Sequence, residues 1–188
     1  MPSFKSISVA NIKSNFMKPV CIILIVCFLS SCQSSSLKFA PVVYDKTSIS
    51  ALLADTSFGY LLLQFNSKNG NSADNPFKLL SYSYKIDNSV LNSSPYNLGI
   101  APGSTAVTFA DSLIMGNQRA SRDDLTGAIT DPSTMAVVNY DYVLFTPALD
   151  SANHYVYYLI TAEKNTPDSS FVKPQGGRTQ PCPPAICQ

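Results

Sequence analysis

Two hydrophobic patterns divide the chain. Residues 20–29 form an unbroken apolar run, Val-Cys-Ile-Ile-Leu-Ile-Val-Cys-Phe-Leu, whereas from Lys38 onward apolar residues come in short stretches separated by Pro, Gly, Asn and Asp. Stretches of that kind, spaced roughly 10–15 residues apart, read as strands joined by turns. Lys38–Tyr44 predicts a first strand. Phe58–Phe65 predicts a second, with Phe58, Tyr60 and Leu62 on one face and Leu61, Leu63 and Phe65 on the other. In Phe77–Asp87, Tyr82, Tyr84 and Ile86 alternate with Ser81, Ser83 and Lys85, the period of a half-buried strand. Tyr96–Ile100 and Thr105–Phe109 flank Ala101-Pro102-Gly103-Ser104 as a hairpin or sheet corner. Two long strands follow, Ala136–Phe145, with Val138, Tyr140, Tyr142 and Leu144 sharing a face, and His154–Thr161, apolar on both. Thr47–Asp55 is ambiguous, with Ser48 able to cap a short helix, and Asn117–Pro132 reads as a polar insertion holding one helical turn.

Seven or eight short strands predict an all-β fold. The connections vary in length and include one long loop, which favours an immunoglobulin-like antiparallel β-sandwich. A small lipocalin-like β-barrel, which calls for more even spacing, is the alternative. Composition agrees: Glu163 is the only glutamate, and Tyr, Phe, Val, Ile, Ser, Thr and Asn are plentiful.

The apolar run has the length of a secretory h-region, about 7–15 residues, and falls short of the ~20 residues of a spanning helix. Lys5, Lys13 and Lys18 precede it with no acidic residue among them, and Met17 offers a second start. Leu29-Ser30-Ser31-Cys32, directly after the run, resembles the lipobox of bacterial lipoprotein precursors. The resemblance covers the first 32 residues and assigns nothing beyond them. It implies cleavage before Cys32, a diacylglyceryl thioether on that cysteine, usually an amide-linked acyl chain, and an exported protein anchored to the bacterial cell envelope. Each buried methylene contributes about 0.8 kcal/mol, so two or three chains hold far more firmly than one myristoyl group. Gln33 is not the aspartate that retains many enterobacterial lipoproteins at the inner membrane, which implies the outer membrane in a Gram-negative host.

The organisation expected is a signal peptide over 1–31, a Ser-rich tether over 32–37, a β-sandwich domain over 38–166 and a Pro/Gly-rich tail, extended or disordered, over 167–188. Losing three lysines takes the formal charge from +1 to −2. With no basic cluster, nucleic acid is not an expected partner. The remaining cysteines, Cys182 and Cys187, flank Pro183-Pro184-Ala185-Ile186, a spacing able to close a small disulfide loop in an oxidising compartment. A metal site there lacks neighbouring His or further Cys.

Catalytic patterns are scarce. His154 is the only histidine, so the chain cannot build a His₂ or His₃ metal centre. A Ser-His-Asp set with Asp141 or Asp150 is formally available, but the chain carries no G-x-S-x-G elbow, Walker loop or G-x-G-x-x-G. No catalytic residue, metal site or cofactor is therefore assigned. Asp123, Asp124 and Asp131, with Arg119 and Arg122, could form one side of an acid pair or a calcium site, though a solvated loop with local Arg–Asp pairing is the plainer reading. The oxygen-rich Asn69–Asn75 stretch lacks an EF-hand register. Asp111-Ser112-Leu113 and Asp150-Ser151-Ala152 resemble the O-glycosylation motif of Bacteroidota. Tyr82, Tyr84, Tyr140, Tyr142, Tyr155, Tyr157 and Tyr158 fall on predicted strands, where an exposed strip would suit a glycan or a protein partner and a covered one would simply pack. The function expected is a membrane-anchored binding or structural module meeting an envelope protein or glycan. The alternatives are a hydrolase using the acids of 117–132 and a barrel carrying a small apolar ligand.

Overall fold

A computed structural model describes residues 36–66, 76–110, 116–152 and 154–181. The signal segment, Cys32, Cys182, Cys187, the Asn69–Asn75 stretch and Asp111-Ser112-Leu113 lie outside the described residues.

The elements run β1 (Ser36–Phe39), β2 (Val42–Asp45), α1 (Lys46–Ala54), β3 (Phe58–Asn66), β4 (Lys78–Lys85), β5 (Val90–Asn97), β6 (Gly99–Ile100), β7 (Val107–Ala110), β8 (Gln118–Ser121), α2 (Arg122–Ile129), β9 (Tyr142–Asp150), β10 (Tyr155–Glu163), β11 (Gly177–Arg178) and β12 (Gln180–Pro181). Two five-stranded antiparallel sheets form, ordered β11-β10-β9-β2-β6 and β12-β8-β3-β4-β5, and β1 pairs with β7 apart from them. The protein is mostly β-sheet, and its sheets do not close into a barrel. The lipocalin-like alternative therefore falls, because the chain alternates between two open sheets where a barrel needs neighbours paired around a ring.

Side chains from both sheets meet in one core. Val42, Val143, Phe145, Val156 and Ile160 come from the first sheet, and Leu61, Leu63, Leu79 and Ala120 from the second. Phe65 of β3 meets Tyr158 of β10 with ring centroids 6.2 Å apart. Phe39 anchors the β1–β7 pair through ring contacts with Phe65, Phe77 and Phe109 at 5.3 to 5.5 Å.

Several expectations shift in register. The first predicted strand is two strands, broken at Ala40-Pro41 because proline cannot donate to a ladder. Of the hairpin or sheet corner expected around Ala101–Ser104, the hairpin is absent: β6 pairs with β2 and β7 with β1. The turn itself forms, with Ser104 N donating to Ala101 O at 3.2 Å and Gly103 at φ 68°, the positive value a type II turn requires after Pro102. The long strand expected over Ala136–Phe145 begins instead at Tyr142, and Val143, Phe145 and Pro147 face inward. Pro147 is tolerated mid-strand because its nitrogen faces the β2 side, where pairing has already ended at Val42↔Phe145.

The 117–132 stretch is not a polar insertion. It supplies β8 and α2, whose Gln118, Ala120, Leu125, Ala128 and Ile129 are buried. Its polar residues serve the helix start: Asp124 N donates to Ser121 Oγ at 3.1 Å, and Ser121 N donates back to Asp124 Oδ2 at 2.9 Å. This capping box satisfies amide donors that a helix leaves free at its N-terminus. Likewise α1 is capped by Asp45, three residues before the expected Ser48. At its other end the Arg122 guanidinium donates to Leu53 O and to Asp55 O (2.7 Å), and it reaches on to Phe58 O at the start of β3 (3.3 Å).

Residues 177–181, expected in the tail, instead add a strand to each sheet. Between those strands Thr179, 1% exposed, accepts at Oγ1 from Tyr158 N (2.8 Å), while its N–H donates to Tyr158 O (2.8 Å). Its hydroxyl donates in turn to Oε1 of Gln118 on β8, at 3.2 Å. A single threonine thus joins β10 to β8 across the sandwich.

Candidate binding cleft

The alternation read in β4 is present, but its serines face the interior. Ser81 and Ser83 are 2% and 7% exposed, Tyr82 and Tyr84 lie half-buried on the outer face, and Ile86 is 70% exposed beyond the strand. Small inward side chains leave a gap where α1 passes over the β4–β5 pair. The result is a cleft of about 440 Å³, within the span of roughly 300–1,000 Å³ usual for small-molecule sites.

Tyr44 of β2 and Tyr96 of β5 close one side. Their rings stack with centroids 4.3 Å apart and planes 12° from parallel. One face of Tyr96 is thereby covered, and 36% of the residue stays exposed. The ring is held from its far end as well: Tyr96 Oη donates to Asp45 Oδ2 at 2.6 Å, and the same carboxylate accepts from Ser48 N at 2.8 Å and Ser48 Oγ at 2.7 Å. One side chain therefore caps α1 and orients Tyr96. The hydroxyl of Tyr96, followed by Ser48, holds the Asp45 carboxyl below its ordinary value. Burial pushes the Tyr44 phenol up, and burial together with donation to Asp45 does the same for Tyr96. Both phenols stay protonated at neutral pH.

The rest of the lining is short and polar over an apolar base. Ser48, Ser81, Ser83 and Ser94 present hydroxyls, Asn92 a carboxamide and Asp55 a carboxylate, while Ala51, Leu52 and Leu91 supply apolar surface. Ser81 Oγ makes a long hydrogen bond to Tyr44 Oη, 3.4 Å. Ser83 makes no side-chain hydrogen bond among the described residues although it is nine-tenths buried. Asp55 accepts from Ser57 Oγ at 2.7 Å and Ser57 N at 2.8 Å, which holds its carboxyl below the ordinary value and keeps it ionised. No Lys, Arg or His lines the cleft.

The residues singled out from sequence go elsewhere. Among the tyrosines, Tyr140 and Tyr158 are core residues, and Tyr82, Tyr84, Tyr142, Tyr155 and Tyr157 are half-buried. The outer face of the second sheet carries an aromatic row that is filled by its own packing: Arg119 sits 4.2 Å over Tyr60, which stacks on Tyr84 at 5.1 Å. Asp124 is spent on the α2 cap, and Asp131 accepts from Ser133 N and Oγ at 2.8 and 2.7 Å. Asp150 accepts from Ala152 N at 3.0 Å in the β9–β10 turn, where His154 is exposed at φ 52°. Sequence reading missed Tyr44 and Tyr96 as a pair because they lie 52 positions apart and meet only across two sheets. The one local signal was the Ser81/Ser83 alternation, whose facing the pattern alone leaves undecided.

Among the described residues no group of three His, Cys, Asp or Glu side chains could hold a metal ion, and no helix is long and apolar enough to cross a membrane. No family of known proteins, no curated protein and no solved structure matches the chain.

Proposed function

We propose that this chain is a lipid-anchored binding module of the cell envelope, exported, acylated at Cys32 and bearing its ligand site in the cleft between α1 and the β4–β5 pair. The cleft carries this reading: it offers an oriented aromatic ring beside several hydrogen-bonding groups. Of the acids named for the hydrolase alternative, Asp124 and Asp131 are engaged by local N–H and O–H donors, while Asp123 is exposed. Within the all-β class we keep the immunoglobulin-like sandwich as the finer form. Its support is that the chain crosses between sheets at α1 and again at α2. Because β1 begins at Ser36, four residues past Cys32, the anchor would hold the domain close to the bilayer, within about 14 Å of extended chain. Cys182 and Cys187 would form a disulfide after export.

Two measurements test the reading. Intact mass and detergent partitioning of the expressed protein should give a chain beginning at Cys32 with two or three acyl chains, lost in Cys32→Ala; a water-soluble, unmodified chain would refute the anchor. A fragment-library titration followed by amide chemical shifts should perturb residues around Ser83, Asn92 and Tyr96. Shifts elsewhere and none in the cleft would refute the binding site.

A further inference from the structure

We infer that the cleft takes an uncharged sugar ring, laid against the free face of Tyr96. The inference rests on the cleft being the binding site and names what enters it. A pyranose has an apolar C–H face and a rim of hydroxyls, so it needs a flat apolar platform beside several short hydrogen-bonding groups. Tyr96 supplies the platform. Tyr44 backs the ring, and Asp45 holds its hydroxyl, so little freedom is lost when a ligand stacks on it. Ser83, Asn92 and Asp55 supply the rim contacts. Ser83 carries the most weight: the residue is nine-tenths buried and lines the cleft, and its hydroxyl has no side-chain partner among the described residues. A ligand hydroxyl entering the cleft would supply that partner.

Charge narrows the class. Asp55 is the only charged side chain on the lining, and Asp45 stands behind Tyr96. Lys85 and Arg122 stand near Asp55 but neither lines the cleft, so phosphorylated sugars and uronates find no cation to pair with there. The apolar base of Ala51, Leu52 and Leu91 suits the C–H face of a neutral ring, and Asp55, already accepting two hydrogen bonds from Ser57, is the one lining group that would draw in a cation.

Saturation-transfer NMR on the full-length, detergent-solubilised protein tests this, using cellobiose, maltose, lactose and chitobiose beside glucuronate and glucosamine. At least one neutral disaccharide should receive saturation, concentrated on one face of a ring. Tyr96→Leu should weaken its affinity about tenfold, the scale of one aromatic stack, and Asn92→Ala should weaken it less. Tyr96→Phe, which keeps the platform and removes the tie to Asp45, should bind within about threefold of the parent. Amide spectra of each variant establish that it is folded. Saturation that Tyr96→Leu and Asn92→Ala leave unchanged would overturn the assignment of sugar to this cleft. Tighter binding of glucuronate or glucosamine than of every neutral sugar would overturn the uncharged class. No saturation of any sugar, with library fragments still shifting cleft residues, would overturn the sugar and leave the binding module standing. Failure of both would remove both.

Discussion

Thr179→Val is the sharpest test of how this fold is held together. Valine matches threonine in shape and β-branching, so the substitution removes a hydroxyl and little else. In the folded protein that hydroxyl accepts from Tyr158 N at 2.8 Å and donates to Gln118 Oε1 at 3.2 Å, with both Thr179 and Gln118 1% exposed. Removing it leaves a strand N–H and an amide oxygen buried without those partners, each costing about 1–3 kcal/mol. The expected loss is about 3 kcal/mol, or roughly 6–12 °C in Tm for a domain of this size. Urea unfolding followed by far-UV circular dichroism measures it, since the chain has no tryptophan. Thr179→Ser, which keeps the hydroxyl, should lose under about half as much. In the double variant with Gln118→Met, the two losses should fall well short of additive. A Thr179→Val loss below about 0.5 kcal/mol, the usual limit for surface changes, would refute the argument and return residues 177–181 to the status of a tail.

Three further outcomes follow from particular contacts. Arg122→Ala should cost about 2 kcal/mol in urea unfolding, because a charged donor leaves the Leu53 and Asp55 carbonyls at the end of α1. Arg122→Lys should recover less than half, since one ammonium cannot reproduce a fork. Tyr158→Phe should raise stability by about 1 kcal/mol, as the hydroxyl is buried with no partner among the described residues; a loss of stability by the same assay would show that the hydroxyl is satisfied. The third concerns acid. Asp55, Asp87, Asp131 and Asp168 each accept from the serine two residues on, whose hydroxyl holds the carboxyl below its ordinary value of 3.8. Asp45 is lowered chiefly by Tyr96. Groups depressed in the folded state stabilise it above the unfolded value, and that contribution is lost as pH falls through the folded values. Stability should therefore hold from neutral pH down to about 4 and decline below it. A urea midpoint that stays flat or rises between pH 4 and pH 2 would contradict this reading.

The all-β class and most strand positions are legible in the local pattern of residues. Alternation and apolar runs are local, and a strand such as Phe58–Asn66, apolar on both faces, reads the same in any register. So is the Pro102-Gly103 turn, whose backbone angles depend on those two residues. The short helix over 46–54 was legible as an alternative, although its cap was not, because Asp45 and Ser48 are both good capping residues. Which face of a strand turns inward depends on the packing around it. Ser81 and Ser83 point inward because α1 and Tyr44 stand over them, while the larger Tyr82 and Tyr84 go to the outer face beside the Arg119–Tyr60 stack. Pairing in the sheets was equally out of reach of local pattern, since β6 meets β2 and residues 177–181 meet β10 and β8 across long stretches of chain. A two-residue strand has almost no local signature and exists only because a longer neighbour offers it unpaired N–H and C=O groups. The cleft follows the same logic. Its serines, tyrosines and carboxylate are ordinary residues in sequence, and they become a site only where two sheets and a helix bring them together.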